Sequence, residues 1–287
     1  MLRSLFAGIS GLRTNQTMLD VTGNNIANAN TTGFKSSSTI FSDTLSQMLT
    51  AASGGNAERG GTNPVQVGLG VQLAATSLNF NQGSAQTTGR TTDVMIQGDG
   101  FFVLADGAEN LYTRAGAFTF DNSGTLVAPN GMRVQGYALD AAGDATGAMV
   151  DVRLDLVTPP AGVELTSYSI SADGKVRGVY SDGVQRDICQ LAVANFTNPM
   201  GLEKVGDTAF RESANSGAPN ADLAAGTPAV AGLGQRGQLM AGALEMSNVD
   251  LSAEFTNLIL AQRGFQASSR VITTSDQVLE ELVNIKR

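Results

Sequence analysis

The chain has 287 residues, of which only 15 % are charged, and it contains 34 glycines but neither Trp nor His. A chain of this length can bury a hydrophobic core as one large domain or two smaller ones. The absence of His excludes every mechanism that needs an imidazole base. The net charge of −8 argues against a nucleic-acid-binding protein, which would carry a clustered basic face. No stretch approaches the roughly 20 apolar residues of a membrane-spanning helix, so we expect no membrane insertion.

The first residues do not fit a cleaved signal peptide. Two glycines and a serine interrupt the apolar run from Leu5 to Leu12, and no small-residue cleavage site follows it. If the protein is extracellular, we therefore expect it to leave the cell without cleavage of a leader.

An N-terminal helix is predicted over the first 28 residues, where apolar residues recur at alternating steps of three and four. This is the spacing of a coiled coil. Polar or small residues at Gln16 and Gly23 interrupt the series and would restrict its register. The apolar positions are Leu2, Leu5, Ile9, Leu12, Leu19 and Ile26.

The segment that follows the helix is rich in turn-forming residues. The run GNNIANANTTGF, residues 23–34, holds four asparagines and two glycines, which favour turns and left-handed backbone over helix. The segment 31–63 is rich in Ser, Thr and Gly with a weak apolar pattern, and we predict an irregular connector there.

From Pro64 the apolar period changes to two, which is typical of half-buried strands. Turn sequences such as Asp173-Gly174 and Asp182-Gly183 separate the strand-like segments. These features predict a mainly antiparallel β domain over residues 64–212, built largely from sequential hairpins. The predicted strands are Val65–Leu73, Val94–Ile96, Phe101–Leu104, Phe118–Phe120, Met132–Val134, Val150–Leu156 and Ile188–Phe196.

A second helix is predicted at the C-terminal end, after an Ala/Gly/Pro-rich stretch that extends the connector over 213–246. Ser247 or Asp250 supplies the polar cap that marks a helix start. The fold class is thus α+β, with a helical module of residues 1–30 and 247–287 around the β domain. Two arrangements of the helices are possible: an antiparallel pair within one chain, or pairing with helices of other chains. The apolar positions of the second helix are Leu251, Phe255, Leu258, Phe265, Ile272 and Leu279.

Candidate catalytic and cofactor sites are weak. Residues 232–237 match G-x-G-x-x-G, but a nucleotide site needs a strand before it and a helix opening from it, and neither is predicted. Paired carboxylates lie in turns or at strand spacing, and Cys189 is expected to be a small buried residue. We therefore expect no enzyme activity, no cofactor and no metal.

Several segments resemble the flagellar axial proteins, which comprise rod, hook and hook-associated subunits. The C-terminal stretch from Ser247 to Leu282 is similar to the family's terminal helix, and the middle segments TNPVQVGLGVQL, DVMIQGDGFFVL and YTRAGAFTFDNSGTLV resemble hook sequence. Many hook proteins are longer, with an outer β domain that this chain is expected to lack. The N-terminal family motif falls on Asn24, Asn25, Ala27, Asn28, Gly33 and Phe34.

The resemblance implies a helical homopolymer in which the terminal helices line an inner tube. A hook subunit would transmit torque and would contact the hook cap, the distal rod, the hook–filament junction proteins and the flagellar export apparatus. Phe41 and Leu45 resemble the family's export element, although packing at helical spacing would also explain them. Some spirochaete hook proteins join subunits through a Lys–Cys crosslink, for which Lys175 and Cys189 are the candidates here.

Two other functions remain open at this stage. A distal rod subunit would form a straight, rigid tube instead of a bendable one. A secreted enzyme or binding protein on a helical stalk would present a concave site with converging polar groups.

Overall fold

The computed structural model describes residues 2–55, 60–107, 109–140, 145–156, 163–219, 231 and 236–285. The chain separates into two compact units. The terminal unit comprises Met1–Ala27, Ser36–Asn79 and Val249–Arg287, and the central unit comprises Asn28–Lys35 and Phe80–Asn248. The predicted α+β class is confirmed, with one helix at each end of a mostly antiparallel β fold.

The terminal unit contains two long helices and four strands. Helix α1 spans Leu2–Ala27 and helix α2 spans Leu251–Ile285. Asp250 caps α2, because its Oδ1 accepts hydrogen bonds from the backbone N–H groups of Ser252 (2.9 Å) and Ala253 (3.3 Å). The strands are β1 Ser37–Asp43, β2 Ser46–Thr50, β3 Val65–Gly68 and β4 Val71–Leu78.

The prediction of irregular structure over residues 31–63 is wrong where β1 and β2 lie. Strand β1 pairs antiparallel with β4, from Ser37 opposite Leu78 to Asp43 opposite Val71, and β2 pairs with β3. The partner of β1 is therefore more than 20 residues away, and a weak local pattern does not reveal such pairing. The predicted single strand Val65–Leu73 is also divided, because Gly70 has a φ of +132° between β3 and β4.

The central unit is built from antiparallel strands throughout its described residues. Its main sheet has the order β13-β14-β15-β11-β7-β8-β18-β17, while β5 pairs with β20 and β6 pairs with β19. Strands β19 and β20 lie inside the segment that we predicted as a connector. The strands are β5 Ala85–Thr87, β6 Val94–Gln97, β7 Phe101–Asp106, β8 Glu109–Thr113, β9 Thr119–Phe120, β10 Leu126–Val127, β11 Arg133–Leu139, β12 Ala145–Asp151, β13 Leu165–Ile170, β14 Lys175–Tyr180, β15 Gln185–Leu191, β16 Val193–Ala194, β17 Glu203–Gly206, β18 Ala209–Arg211, β19 Gln238–Ala241 and β20 Ala243–Glu245.

The core of the central unit is apolar and closely packed. Phe102 and Phe118 meet edge to face with ring centroids 5.1 Å apart, and both side chains are fully buried. Among the predicted strands, Val150–Leu156 is displaced along the chain, because β12 spans Ala145–Asp151. Strand β12 ends at Asp151, because the backbone of buried Val152 instead bonds to Val134 and Leu126 on two other strands.

Candidate assembly interface

The two terminal helices pack antiparallel along a seam of small and hydroxyl residues. At one end of the seam, the hydroxyls of Ser4 and Ser275 lie 3.3 Å apart. A Cβ placed on Gly8 would lie 3.0 Å from Ile272 Cγ1, and one on Gly264 would lie 2.5 Å from Asn15 Oδ1. The seam therefore depends on glycines that let the two backbones approach closely. Of the two arrangements predicted for the helices, the structure has the intrachain antiparallel pair.

None of the described apolar positions that predicted a coiled coil is fully buried, and four of them face solvent. Ile9, Leu251, Phe255 and Phe265 are exposed, with 51 % of Phe255 accessible to solvent. The half-buried members of the predicted set are Leu5, Leu12, Leu19, Ile26, Leu258, Ile272 and Leu279, and the side chain of Leu2 lies outside the described residues.

The sequence analysis also missed a further set of exposed apolar residues on the helices. Phe6, with 67 % of its side chain accessible, lies between two predicted positions on α1. A strict heptad template overlooks residues of this kind, because it admits only two positions in seven. The others are Ile259, Leu260, Val271, Val278, Leu282 and Ile285 on α2. Such a concentration of exposed apolar side chains marks an interaction surface.

One motif residue, Asn25, joins three elements of the terminal unit. Its side chain is buried and donates from Nδ2 to the carbonyl of Ser37 (2.8 Å) and to Oε1 of Glu254 (2.9 Å). Its Oδ1 accepts a hydrogen bond from the backbone N–H of Ser37 (3.0 Å). Asn25 thus connects the end of α1 to the start of β1 and to the first turn of α2, so the motif has a structural reason to hold an amide here.

The later motif residues lie in the central unit. Gly33 has a φ of +69°, and a Cβ there would lie 2.4 Å from the backbone nitrogen of Ala115, so only glycine fits. Phe34 is buried beneath the Lys204 ammonium, which lies 4.8 Å from its ring centroid. Asn28 accepts a hydrogen bond from the Thr31 hydroxyl at 3.1 Å, whereas Asn24 is exposed and Ala27 ends α1.

A buried ionic cluster begins at the residue after the motif, and no pattern in the sequence predicted it. Glu245 accepts hydrogen bonds at Oε1 from Lys35 Nζ (2.6 Å) and the Gly83 N–H (2.9 Å), and at Oε2 from Arg114 (3.5 Å). Lys35 Nζ also donates to the Asn81 carbonyl (2.8 Å). Burial lowers the pKa of Lys35, and the hydrogen bond to Glu245 partly offsets this effect. The cluster joins four segments of the central unit that are far apart in sequence.

The residues of the predicted export element lie in extended backbone. Phe41 lies within β1 and Leu45 lies between β1 and β2, with 82 % of Leu45 accessible. The two side chains therefore do not pack at helical spacing, which removes that alternative explanation.

The remaining candidates from the sequence are the two crosslink residues and the G-x-G-x-x-G match. Cys189 is fully buried, and burial raises the pKa of its thiol to about 12, so neither its position nor its protonation suits a crosslink. Lys175 Nζ lies 3.8 Å from Asp187 Oδ2. In the G-x-G-x-x-G match, residues 232–235 lie outside the described residues.

The described part of the chain holds neither a metal-binding cluster nor a membrane-spanning helix. No group of three His, Cys, Asp or Glu side chains is arranged to hold a metal ion there. No helix in that part is long and apolar enough to span a bilayer.

Three family models match this chain, in both units. They are the flagella basal body rod protein at residues 5–35, the flagellar hook protein FlgE/F/G D1 domain at 95–178 and the flagellar basal body rod FlgEFG protein C-terminal region at 240–285. The flagellar basal-body rod protein FlgG of Bacillus subtilis is 45 % identical over 287 residues, across the whole of both chains. This chain belongs to the flagellar hook and basal-body rod protein family. The resemblance found in the sequence is confirmed.

Hook proteins of the same family are similar at lower identity. The flagellar hook protein FlgE of Treponema pallidum is 30 % identical over 470 aligned positions, and that of Borreliella burgdorferi is 31 % identical over 448, each across the whole of both chains. Because this chain has 287 residues, these alignments contain long insertions in the hook proteins. Members of the family are structural proteins of the rod and hook, and this chain is a structural flagellar subunit.

Proposed function

We propose that this chain polymerises through its terminal helices into the tube of the flagellar distal rod, which transmits torque. The observation that carries the proposal is the apolar surface left exposed on α1 and α2, which includes Phe6, Phe255 and Leu260. Side chains of this size on one pair of helices favour burial against other copies. Identical chains that contact each other through two different surfaces can add one after another. Such an assembly is a ring if the rotation between neighbours closes, and an open helical filament if it does not.

The rod is proposed ahead of the hook because of the pattern of similarity. The Bacillus subtilis rod protein aligns over 287 residues, which is the length of this chain. The alignments with the two hook proteins are much longer, at 470 and 448 positions. The sequence analysis favoured the hook, and this preference gives way to the distal rod, its stated alternative.

The hook remains a second candidate, since hook proteins match the whole chain and the middle segments resemble hook sequence. A hook subunit would form a bendable tube, and its neighbours would include the hook cap and the hook–filament junction proteins. In either position the chain would be exported by the flagellar apparatus without a cleaved signal peptide, with Phe41 and Leu45 as a candidate export element.

Electron microscopy of the purified chain tests this function. We expect tubes from the unmodified chain and none from the variant Phe255→Asp/Leu260→Asp, because buried unpaired carboxylates would oppose contact between helices. The matched control is Val184→Asp, an equally exposed apolar position in a turn of the central unit. Tubes from the helix variant would contradict the proposal. Straight tubes favour the rod, and curved tubes favour the hook.

A further inference from the structure

A groove of 460 Å³ runs along α1 in the terminal unit, between the helix and the residues around β3 and β4. Phe6, Ile9 and Arg13 line it from the helix, and Leu69 and Leu73 line it from the strands. Phe6, Ile9, Leu69 and Leu73 are all partly exposed, so the groove presents apolar surface to solvent with one cationic side chain beside it.

The floor of the groove is set by a close approach of the chain to α1. The hydroxyl of Ser10 accepts a hydrogen bond from the backbone N–H of Val71 (3.3 Å) and donates to the Ala7 carbonyl (2.8 Å). A Cβ on Gly70 would lie 2.4 Å from the same hydroxyl, so glycine is required for this approach. The groove is thus fixed by specific contacts rather than by loose packing.

The last two turns of α2 carry an apolar face that is exposed to solvent. These turns follow the seam contact between Ser275 and Ser4 along α2. Val278, Leu282 and Ile285 are exposed and lie at i, i+4 and i+7, on one face, with Glu281 beside them.

We propose that residues 278–285 of α2 from a second copy of this chain dock into the groove on α1. The proposal rests on the proposed function and names the contact through which that polymer grows. The apolar face of Val278, Leu282 and Ile285 would cover Phe6 and Ile9, while Glu281 would approach Arg13.

The occupant is a second copy because the chain's own α2 lies on the other side of α1. At 100° per residue, Phe6, Ile9 and Arg13 point away from the seam formed by Gly8 and Gly11. A straight helix packed against that seam does not reach the opposite face of α1 in the same chain. The contact therefore joins two different surfaces of neighbouring copies, as open filaments require.

Disulfide trapping in the assembled tube tests the contact. Chains with Ile9→Cys and chains with Leu282→Cys, both also carrying Cys189→Ala, are mixed in equal amounts, assembled and oxidised. We expect disulfide-linked dimers at least fivefold above those from either variant alone. The matched control replaces Leu282→Cys with Val271→Cys, which is exposed on α2 where the helix lies beside α1.

The outcomes separate the two proposals. Tubes without dimers above the control would overturn the docking contact and leave the proposed function intact. Failure of the unmodified chain to form tubes would overturn the proposed function, and this contact with it.

A charge exchange provides a second measurement that does not depend on new cysteines. We expect Arg13→Glu and Glu281→Arg each to raise the concentration needed for assembly about threefold, and the two together to restore it, because an exposed ion pair makes a small contribution. If the concentration needed by the double variant equals the product of the two separate increases, the pairing of these residues is contradicted.

Discussion

The two units of this protein treat their apolar side chains in opposite ways. In the central unit, Phe102, Phe118 and Val176 are fully buried, and the charged cluster around Glu245 is buried with them. In the terminal unit, the closest approaches in the helix seam are made at glycines such as Gly8, while residues such as Phe6 and Phe255 face solvent. The central unit completes its core within one chain, whereas we propose that the apolar surface of the terminal unit contacts other chains.

Because of this difference, substitutions in the two units should affect different properties of the protein. The stability of the central unit is set inside the chain, so its variants should act on folding. The apolar surface of the terminal unit adds free energy only when other copies cover it, so its variants should act on assembly.

The largest effect is expected from Glu245→Gln, which removes the only anion in the buried cluster of Lys35, Arg114 and Glu245. Two buried cations without a counter-charge should lower the free energy of unfolding by about 3–5 kcal/mol. Urea unfolding followed by circular dichroism measures it. The control, Glu109→Gln, changes an exposed pair with Arg211 and should cost less than about 1 kcal/mol. Equal losses in the two variants would contradict the claim that the buried cluster stabilises the central unit.

The seam of the terminal helices is tested by Gly8→Leu. The new side chain would meet Ile272, and overpacking of this kind costs about 1–3 kcal/mol. We expect the tubes to dissociate at lower temperature, as measured by light scattering during heating. Gly23→Leu is the matched control, because a Cβ there meets nothing within 4 Å. That change should be neutral or stabilising through helix propensity. A variant at Gly8 that is as stable as the control would show that the helices do not need a close approach.

The link at Asn25 is tested by Asn25→Asp. The change removes two donated hydrogen bonds and places a carboxylate beside Glu254, so we expect a loss of about 2 kcal/mol in the stability of the helix pair. Adding Glu254→Gln should recover part of this loss, since the amide can donate to the new carboxylate. Thermal dissociation of the tubes measures both. Asn24→Asp, at an exposed neighbouring position, is the control.

The last of these predictions concerns the pH dependence of the central unit. Burial raises the pKa of the Cys189 thiol from 9.0 to about 12, so above pH 9 the unfolded chain releases a proton that the folded chain retains. Stability from this group is therefore complete below pH 9 and falls between pH 9 and 12, by at most about 1.4 kcal/mol per pH unit. The difference in unfolding free energy between the unmodified chain and Cys189→Ala should narrow in this range. A difference that stays constant would contradict the burial of the thiol.

The sequence predicted those features that depend on local pattern. The helices, the cap at Asp250 and several strands of the central unit, among them β6 and β7, follow from periodicity and turn residues that lie close together in the chain. The division into residues 1–30 plus 247–287, 31–63 plus 213–246 and 64–212 stays a prediction.

Features that depend on contacts between distant segments of the chain could not be predicted from the sequence. Strand β1 pairs with β4 across more than 20 residues, and Lys35 meets Glu245 across 210. A charged residue gives no sign in the sequence that it will be buried, because burial depends on a partner supplied elsewhere. The heptad pattern located the helices, but it did not indicate that Gly8 and Gly264 take part in their contact, because an apolar template ignores small residues.

The most direct test of the central claim uses the absence of Trp from this chain, which makes a single introduced Trp a specific reporter. In Phe255→Trp the indole would occupy an exposed position on α2. We predict that its emission shifts to shorter wavelength when the protein assembles, and that quenching by acrylamide falls several-fold, because neighbouring copies bury the ring. Tubes in which both the emission and the quenching match those of the unassembled chain would contradict the claim that the exposed apolar surface of the helices builds the polymer.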